Sequence, residues 1–261
     1  MKQAPWVVAE TASFLVVHKP PLIHSAPLRD GDESLLDWCG DRYPEVRIPR
    51  GRQRREGGLL HRLDYGTWGL VLIARTQPAL ESLLMQQEQG TLVKEYGALT
   101  MSAPRPPLPG FPPMELPGLP DPPFTIESSF RPYGPGRRAV RPVSIEESAK
   151  KPRREFALDR GKAYKTDVLE LNSTGEVHYF RLRIARGFRH QIRCHLSWLG
   201  YPILNDRLYG GQPEADGMDQ ALALKAQGLF FRDPLSGEER QYQLPPVEKK
   251  SFLDYHLPHE L

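Results

Sequence analysis

The sequence predicts an α+β fold built on a mixed, largely antiparallel sheet with flanking helices. Two observations carry that expectation. Strand-length apolar runs outnumber helical stripes, and successive runs are spaced like hairpin neighbours rather than like repeating strand–helix units. No internal repeat is evident. At 261 residues the chain fits one catalytic-size domain, residues 1–261, with two lobes, since domains run to about 100–200 residues.

The elements follow in order. "WVVAE" and "FLVVHKP" read as two β-branched strands of a hairpin, ending at Pro20-Pro21, which halts strand pairing. "ESLLDWCGDRYPEV" carries an apolar stripe at Leu35, Leu36 and Trp38 and predicts a helix that stops near Pro44. "GLVLIAR" is continuously apolar over a strand's length and predicts a strand buried on both faces. "TQPALESLLMQQEQG" predicts a helix with Thr76 as N-cap, Pro78 in the first turn, Leu80, Leu83 and Leu84 on one face and Gly90 as its stop. "TLVKEYGALTM" returns to strand. Residues 104–123 are too rich in proline for a helix or a central strand and predict a surface excursion within the domain. "KAYKTDVLEL" and "VHYFRLRIA" are strands, the second alternating Phe180, Leu182 and Ile184 against Arg181 and Arg183. "HQIRCHLSWLG" is a helix with Ile192, Leu196 and Leu199 on one side and Gly200 at its end.

A hydrophobic fraction of 39% and a charged fraction of 26% belong to a soluble globular chain. No apolar run approaches the ~18 residues of a membrane span, and "MKQAPWVVAE" lacks a signal-like core, so a cytoplasmic location is expected. Cys39 and Cys194, without a CxxC, predict free thiols rather than a disulfide framework or a zinc ribbon. A net charge of +3 announces no partner by itself, but its distribution does. Arg47, Arg50, Arg52, Arg54 and Arg55 crowd just before residues 59–75, and "RPYGPGRRAVRP" and "AKKPRREF" add two more basic blocks. One cluster alone reads as a solvated loop. Three, with one abutting a candidate site, point to a polyanion.

That candidate site is "LLHRLDYGTWGLVLIAR", where Arg62 and Asp64 sit two apart before a glycine-punctuated turn. His61, Asp64, His190 and His195 tempt a metal reading. On one helix, however, His190 and His195 would be five apart and face different sides, whereas a chelating pair wants i, i+4. A glycosidase would need a second carboxylate in a comparable turn, and none is evident. A carboxylate among arginines is held ionised, which suits a nucleophile or a base and disfavours a general acid.

"HRLDYGTWGL" resembles the catalytic motif of the RluA family of pseudouridine synthases. In the same order along the chain, "VVHKPPLIHSAP" resembles the family's early K-P strand and turn, and "LVKEYGAL" its K-x-Y strand. "GKAYKTDVLEL", "GFRHQIRCHLSWLGYPILNDRLYGG" and "GLFFRDPLSGE" match later segments. The resemblance spans nearly the whole chain. It implies the pseudouridine synthase fold with a central catalytic cleft, and an isomerase acting on uridines in structured RNA, ribosomal or transfer. By the same match Asp64 is the nucleophile that starts cleavage of the N1 glycosidic bond, after which the base rotates and rejoins through C5. A covalent and a glycal intermediate both remain open. Tyr96 would stack on the target base and handle a proton. Arg193 would keep Asp64 charged and aimed, and Arg62 would fill the stack that the flipped base vacates. No cofactor and no metal are implied, and a monomer is expected. His61 would support the loop through a hydrogen bond without taking a chemical step.

Two departures bear on substrate choice. The family's G-R-T-H-Q-I-R reads here as Gly187 to Arg193 with Phe188-Arg189 in place of Arg-Thr, and Trp68 stands where a small residue is common, offering a pocket rim or a stacking face. Many relatives carry an S4-type RNA-binding domain ahead of the catalytic one. No S4 domain is expected here, so Arg52, Arg54 and Arg55, with the basic segments between Arg131 and Arg154, become the candidates for RNA backbone contact. An RNA-binding or ribosome-assembly factor on the same fold is the alternative function. Asp64, Tyr96 and Arg193 together argue against it, because binding alone does not need that trio.

Overall fold

The computed structural model describes residues 3–29, 32–51, 53–101, 106–114, 119–149, 161–174, 177–211 and 221–246. Within them run β1 (Trp6–Glu10), β2 (Phe14–Lys19), α1 (Leu35–Gly40), β3 (Trp68–Ala74), α2 (Gln77–Gln89), β4 (Val93–Met101), β5 (Phe124–Tyr133), β6 (Ala139–Val143), α3 (Ile145–Ala149), β7 (Tyr164–Thr174), β8 (Val177–Ile184), α4 (Gln191–Trp198), β9 (Leu224–Arg232) and β10 (Glu239–Gln243). The chain divides into two units, residues 1–96 with 218–261, and residues 97–217, with β4 crossing the division.

In the first unit β1, β2 and β3 pair antiparallel, β3 meets β9 in parallel, and β10 returns antiparallel along β9. Every residue of β3 is buried, as its uninterrupted apolar run predicts. Gly69 is required where β3 meets β9. Its φ is +114°, and an added Cβ would lie 2.2 Å from the Ala226 carbonyl oxygen. Helix α2 is capped by Thr76, whose hydroxyl accepts from the Ala79 N–H, and stopped by Gly90 in the left-handed region. Its Leu80 and Leu83 are fully buried in a core with Phe14, Leu70, Leu72 and Phe231, each worth about 2 kcal/mol of apolar burial. Helix α1 buries Leu35, Leu36 and Cys39 rather than the predicted Trp38. The indole is instead covered by Arg42, 4.1 Å above it.

In the second unit β8, β7, β5 and β6 form an antiparallel series. Sequence patterning does not mark β5 and β6. The basic block "RPYGPGRRAVRP" is the hairpin between them, where Arg131 pairs with Arg141 in register. Both guanidinium groups reach Glu147 of α3, at 3.0 and 3.2 Å. The core here joins Phe130, Val140, Tyr164, Cys194 and Tyr209. Helix α4 starts at Gln191, so His190 is its cap, with φ +58°, and not a helical residue as the sequence predicted. The two units together are α+β, mixed and largely antiparallel. Residues 102–105 and 115–118 of the proline-rich stretch lie outside the described residues.

Candidate active site

Asp64 is half-buried on the turn between residue 59 and β3, and the backbone around it is tied at successive points. Ser25, itself buried, accepts from the Leu63 N–H at 3.0 Å and donates to the Leu63 carbonyl at 3.0 Å. The Thr67 N–H donates to the Asp64 carbonyl at 3.0 Å, closing the turn. The Tyr65 carbonyl accepts from the Leu22 N–H, and the Gly66 carbonyl from the Leu222 N–H, both at 2.8 Å. The carboxylate therefore projects from a backbone that the rest of the unit holds in place.

Lys19, the last residue of β2, is fully buried. Its ammonium donates to the carbonyls of Pro20 at 3.0 Å, Ile23 at 2.8 Å and Tyr65 at 3.4 Å. Burial pulls it down to about 7, and the charge of Asp64 opposes that pull. Tyr96, 6% exposed, feels the same carboxylate. Burial first and Asp64 second raise its phenol well above the usual value, so the hydroxyl keeps its proton at neutral pH. Asp64 is thus electrostatically coupled to a buried cation and a buried phenol within one unit. Sequence reasoning gave Lys19 no role. The available signal was a charge ending a strand that opens on four apolar residues and, in the structure, is wholly buried.

His61 donates from Nε2 to the Leu70 carbonyl at 3.4 Å. Burial, then the Lys94 charge, hold its imidazole down at about 3, so it is neutral. Trp68 is neither rim nor stacking face. It is 2% exposed, its indole N–H donates to the Leu222 carbonyl at 3.1 Å, and the Lys225 ammonium lies 4.9 Å from its ring centroid. An indole there fills the first unit's interior, because the strand that carries it is buried on both sides.

In the second unit Arg193, on α4, meets Asp206 in a bidentate pair, Nε to Oδ2 at 2.7 Å and Nη2 to Oδ1 at 2.8 Å. Asp206 is 1% exposed, and the guanidinium also lies over the Tyr209 ring at 5.2 Å. Asp206 received no role from the sequence, although it belongs to the same motif segment as Tyr209. Gly211 closes that segment, where a Cβ would fall 2.0 Å from the Ile203 carbonyl oxygen. The departures from the family pattern are structural within this unit. Phe188 stacks on Phe130 with centroids 5.0 Å apart, and Arg189 donates to the carbonyls of Arg137 and Ala139 at 2.9 and 3.2 Å.

The expected RNA-contacting residues fare unequally. Arg62 is exposed and pairs with Glu56 at 3.1 Å. Arg55 donates to the Leu28 carbonyl at 2.9 Å, and Arg47 is engaged by Asp41 at 2.8 Å. Arg52, the Arg54 side chain and the basic run at 150–154 lie outside the described residues. Among the described residues no group of His, Cys, Asp or Glu could hold a metal ion. Nor is any helix there long and apolar enough to cross a membrane. Cys39 and Cys194 are buried free thiols.

The family model for RNA pseudouridylate synthase matches residues 13–198. Ribosomal large subunit pseudouridine synthase D of Vibrio parahaemolyticus is 28% identical over 97% of this chain and 74% of its own length. The protein of that name from Vibrio vulnificus is 29% identical over 92% of this chain and 66% of its own length. Two human structures share the fold. RNA Pseudouridylate Synthase Domain Containing 1 has a TM-score of 0.63 at 21% identity, covering 97% of this chain and 87% of that one. Domain Containing 4 has a TM-score of 0.58 at 19% identity, covering 94% and 89%. With the family model matched over residues 13–198, more than half of its length, the chain belongs to the RNA pseudouridylate synthases.

Proposed function

We propose that this synthase converts uridine to pseudouridine in ribosomal RNA, with Asp64 as the nucleophile. The observation that carries the chemical part is the placement of Asp64 on a turn tied at consecutive backbone groups and coupled to Lys19 and Tyr96. The ribosomal substrate rests on the names of the bacterial relatives.

Attack by the Asp64 carboxylate starts cleavage of the bond between N1 of uracil and the ribose. The freed ring turns, its C5 bonds to the sugar in place of N1 as the Asp64 carboxylate is released, and the C5 proton leaves while N1 gains one, so atoms are conserved without a cofactor. Tyr96 holds the turning ring by stacking. Because its phenol stays protonated, it serves first as a hydrogen-bond donor, and proton removal from C5 needs an acceptor that its hydroxyl can pass a proton to. The resemblance gives Arg193 the part of Asp64's charge partner and Arg62 that of filling the vacated stack. Arg52, Arg54 and Arg55 are read as contacts to phosphate.

Mapping pseudouridines in cellular RNA with and without the gene tests the substrate. Sites lost from ribosomal RNA on deletion and restored by the wild type, but not by Asp64→Asn, are the expected result. Loss confined to transfer RNA would overturn the ribosomal assignment, and restoration by Asp64→Asn would overturn the nucleophile.

A further inference from the structure

Among the described residues the large apolar side chains left exposed include two aromatic ones, Trp6 and Tyr65. Only Tyr65 adjoins Asp64 in the chain. The residue is 37% exposed, and its ring lies 4.8 Å from that of His24 with the planes 40° apart. Neither residue belongs to the first unit's core cluster.

Both rings stand on anchored backbone. The Tyr65 carbonyl takes hydrogen bonds from the Leu22 N–H at 2.8 Å and from buried Lys19 at 3.4 Å, and the turn around it is closed by the Thr67 N–H on Asp64. The His24 carbonyl accepts from the Leu35 N–H at 2.8 Å, and His24 bridges Ser34. One turn therefore sets the position of both the Asp64 carboxylate and the exposed Tyr65 ring. An aromatic side chain has few torsions to freeze, and this one starts from a fixed backbone, so binding a flat partner costs little ordering.

We propose that Tyr65, backed by His24, is a stacking platform for the nucleobase next to the uridine that Asp64 attacks. The proposal rests on the reading of Asp64 as nucleophile. Extruding a base from a strand deprives its neighbour of one stacking face. The extruded base has two neighbours, and where Arg62 fills the gap against one, an exposed phenol ring one residue from the reacting carboxylate offers a face to the other. Every base has a π-face, so the platform binds the flanking nucleotide with little regard for its identity and adds affinity for unpaired RNA. A folded duplex keeps its bases in the stack and gains nothing from it.

The probe is a nine-nucleotide single-stranded RNA with one central uridine flanked on both sides by 2-aminopurine, whose fluorescence is quenched by stacking. It is titrated into the Asp64→Asn protein, alone and combined with Tyr65→Leu, Tyr65→Phe or Tyr65→Trp. The expected result is quenching by the Asp64→Asn protein, about tenfold weaker binding without quenching for the Leu variant, and rescue of both by Phe and Trp. In the wild-type background, Tyr65→Leu raises the half-saturating concentration of unmodified ribosomal RNA transcript far more than it lowers the saturated rate.

Absent quenching, equal quenching by the Leu variant, or a Phe variant as weak as Leu overturns the platform. So does a fall in saturated rate at unchanged half-saturation, which marks Tyr65 as part of the turn only. Quenching specific to the flanking position in the parent protein keeps the test decisive should the Leu variant fail to fold. Turnover by Asp64→Asn would instead overturn the nucleophile reading, while the quenching measurement would still report stacking.

Discussion

The two units handle a buried cation in opposite ways. In the second, Arg193 meets Asp206 fork to fork, a bidentate pair of opposite charges. In the first, Lys19 is buried among carbonyl oxygens, which orient its ammonium without neutralising it, and burial drags it to about 7. The guanidinium keeps its proton under almost any burial, and its planar fork suits a carboxylate. The ammonium is a point charge whose field reaches outward when only dipoles surround it. The difference separates a unit whose buried cation meets a carboxylate of its own from one whose buried cation, held by carbonyl dipoles, leaves a field at Asp64. The imidazoles follow the same division. His195 is hydrogen-bonded on both ring nitrogens, to Thr166 at 2.8 Å and Ser128 at 3.0 Å, whereas the buried Nδ1 atoms of His18 and His61 have no hydrogen-bond partner among the described residues.

The comparison is broken most severely at Asp64. Asp64→Asn should reduce pseudouridine formation to background while changing RNA affinity little, because the amide is isosteric but not nucleophilic. Product analysis by mass spectrometry beside a binding titration reads both effects.

The Arg193 pair gives the next largest effect. Removing either partner strands the other in the interior, so Arg193→Met and Asp206→Leu should each cost about 3–5 kcal/mol in denaturant unfolding. The double variant should recover much of that loss, since it leaves no unpaired charge. If stability returns and activity does not, Arg193 acts on the chemistry beyond holding the second unit together. If activity returns with stability, its role is structural.

Acid sharpens the contrast further. His18 and His61 in the first unit, and His195 in the second, are each lowered from 6.5 to about 3, with burial the largest cause. The unfolded chain binds these protons near 6.5 and the folded chain not until about 3. Their contribution is therefore complete above pH 6.5 and is lost as the pH falls toward 3. Each imidazole adds a slope of up to about 1.4 kcal/mol per pH unit in that window. His195→Gln should flatten the pH dependence of unfolding there, and if the units unfold separately, the first should show twice the slope from its two histidines.

The smallest effect is expected from the arginines before the turn that bears Asp64. Replacing Arg52, Arg54 and Arg55 with Gln should weaken target and non-target RNA alike. Each cation–phosphate pairing removed should take about 0.7 from the slope of log K against log salt. The single-turnover rate at saturating RNA should hardly change. Because Arg55 already donates to the Leu28 carbonyl, its share of the slope should be less than that of a free guanidinium. An unchanged slope with a collapsed rate would place the loop in the chemistry instead.

What could be read from the sequence followed how completely each element is buried. β2, β3 and α2 were legible because their apolar residues face a core on both sides or along one stripe. β5 and β6 were not, because half-buried Arg131 and Arg141 break their apolar alternation, and Pro132 and Pro142 interrupt the strand signature. The ion pairs with Glu147 that make those arginines acceptable come from a third element. Trp68 was misread for a related reason. Its position in the motif is visible in the chain, but the direction of its side chain is decided by β9 lying beside β3.

By itself the sequence determined the fold class, the ordered motifs of an RNA pseudouridylate synthase and the identity of the carboxylate to test, since all of these are written in local periodicity and in residues close together along the chain. The tertiary structure alone decided that Lys19 is buried against the turn bearing Asp64, that Arg193 is matched by Asp206, and that Tyr65 faces outward beside His24. Burial and pairing depend on which distant segments meet. No spacing along the chain records that, because the free energy of a charged or aromatic side chain is set by the surface that comes to cover it or leaves it open.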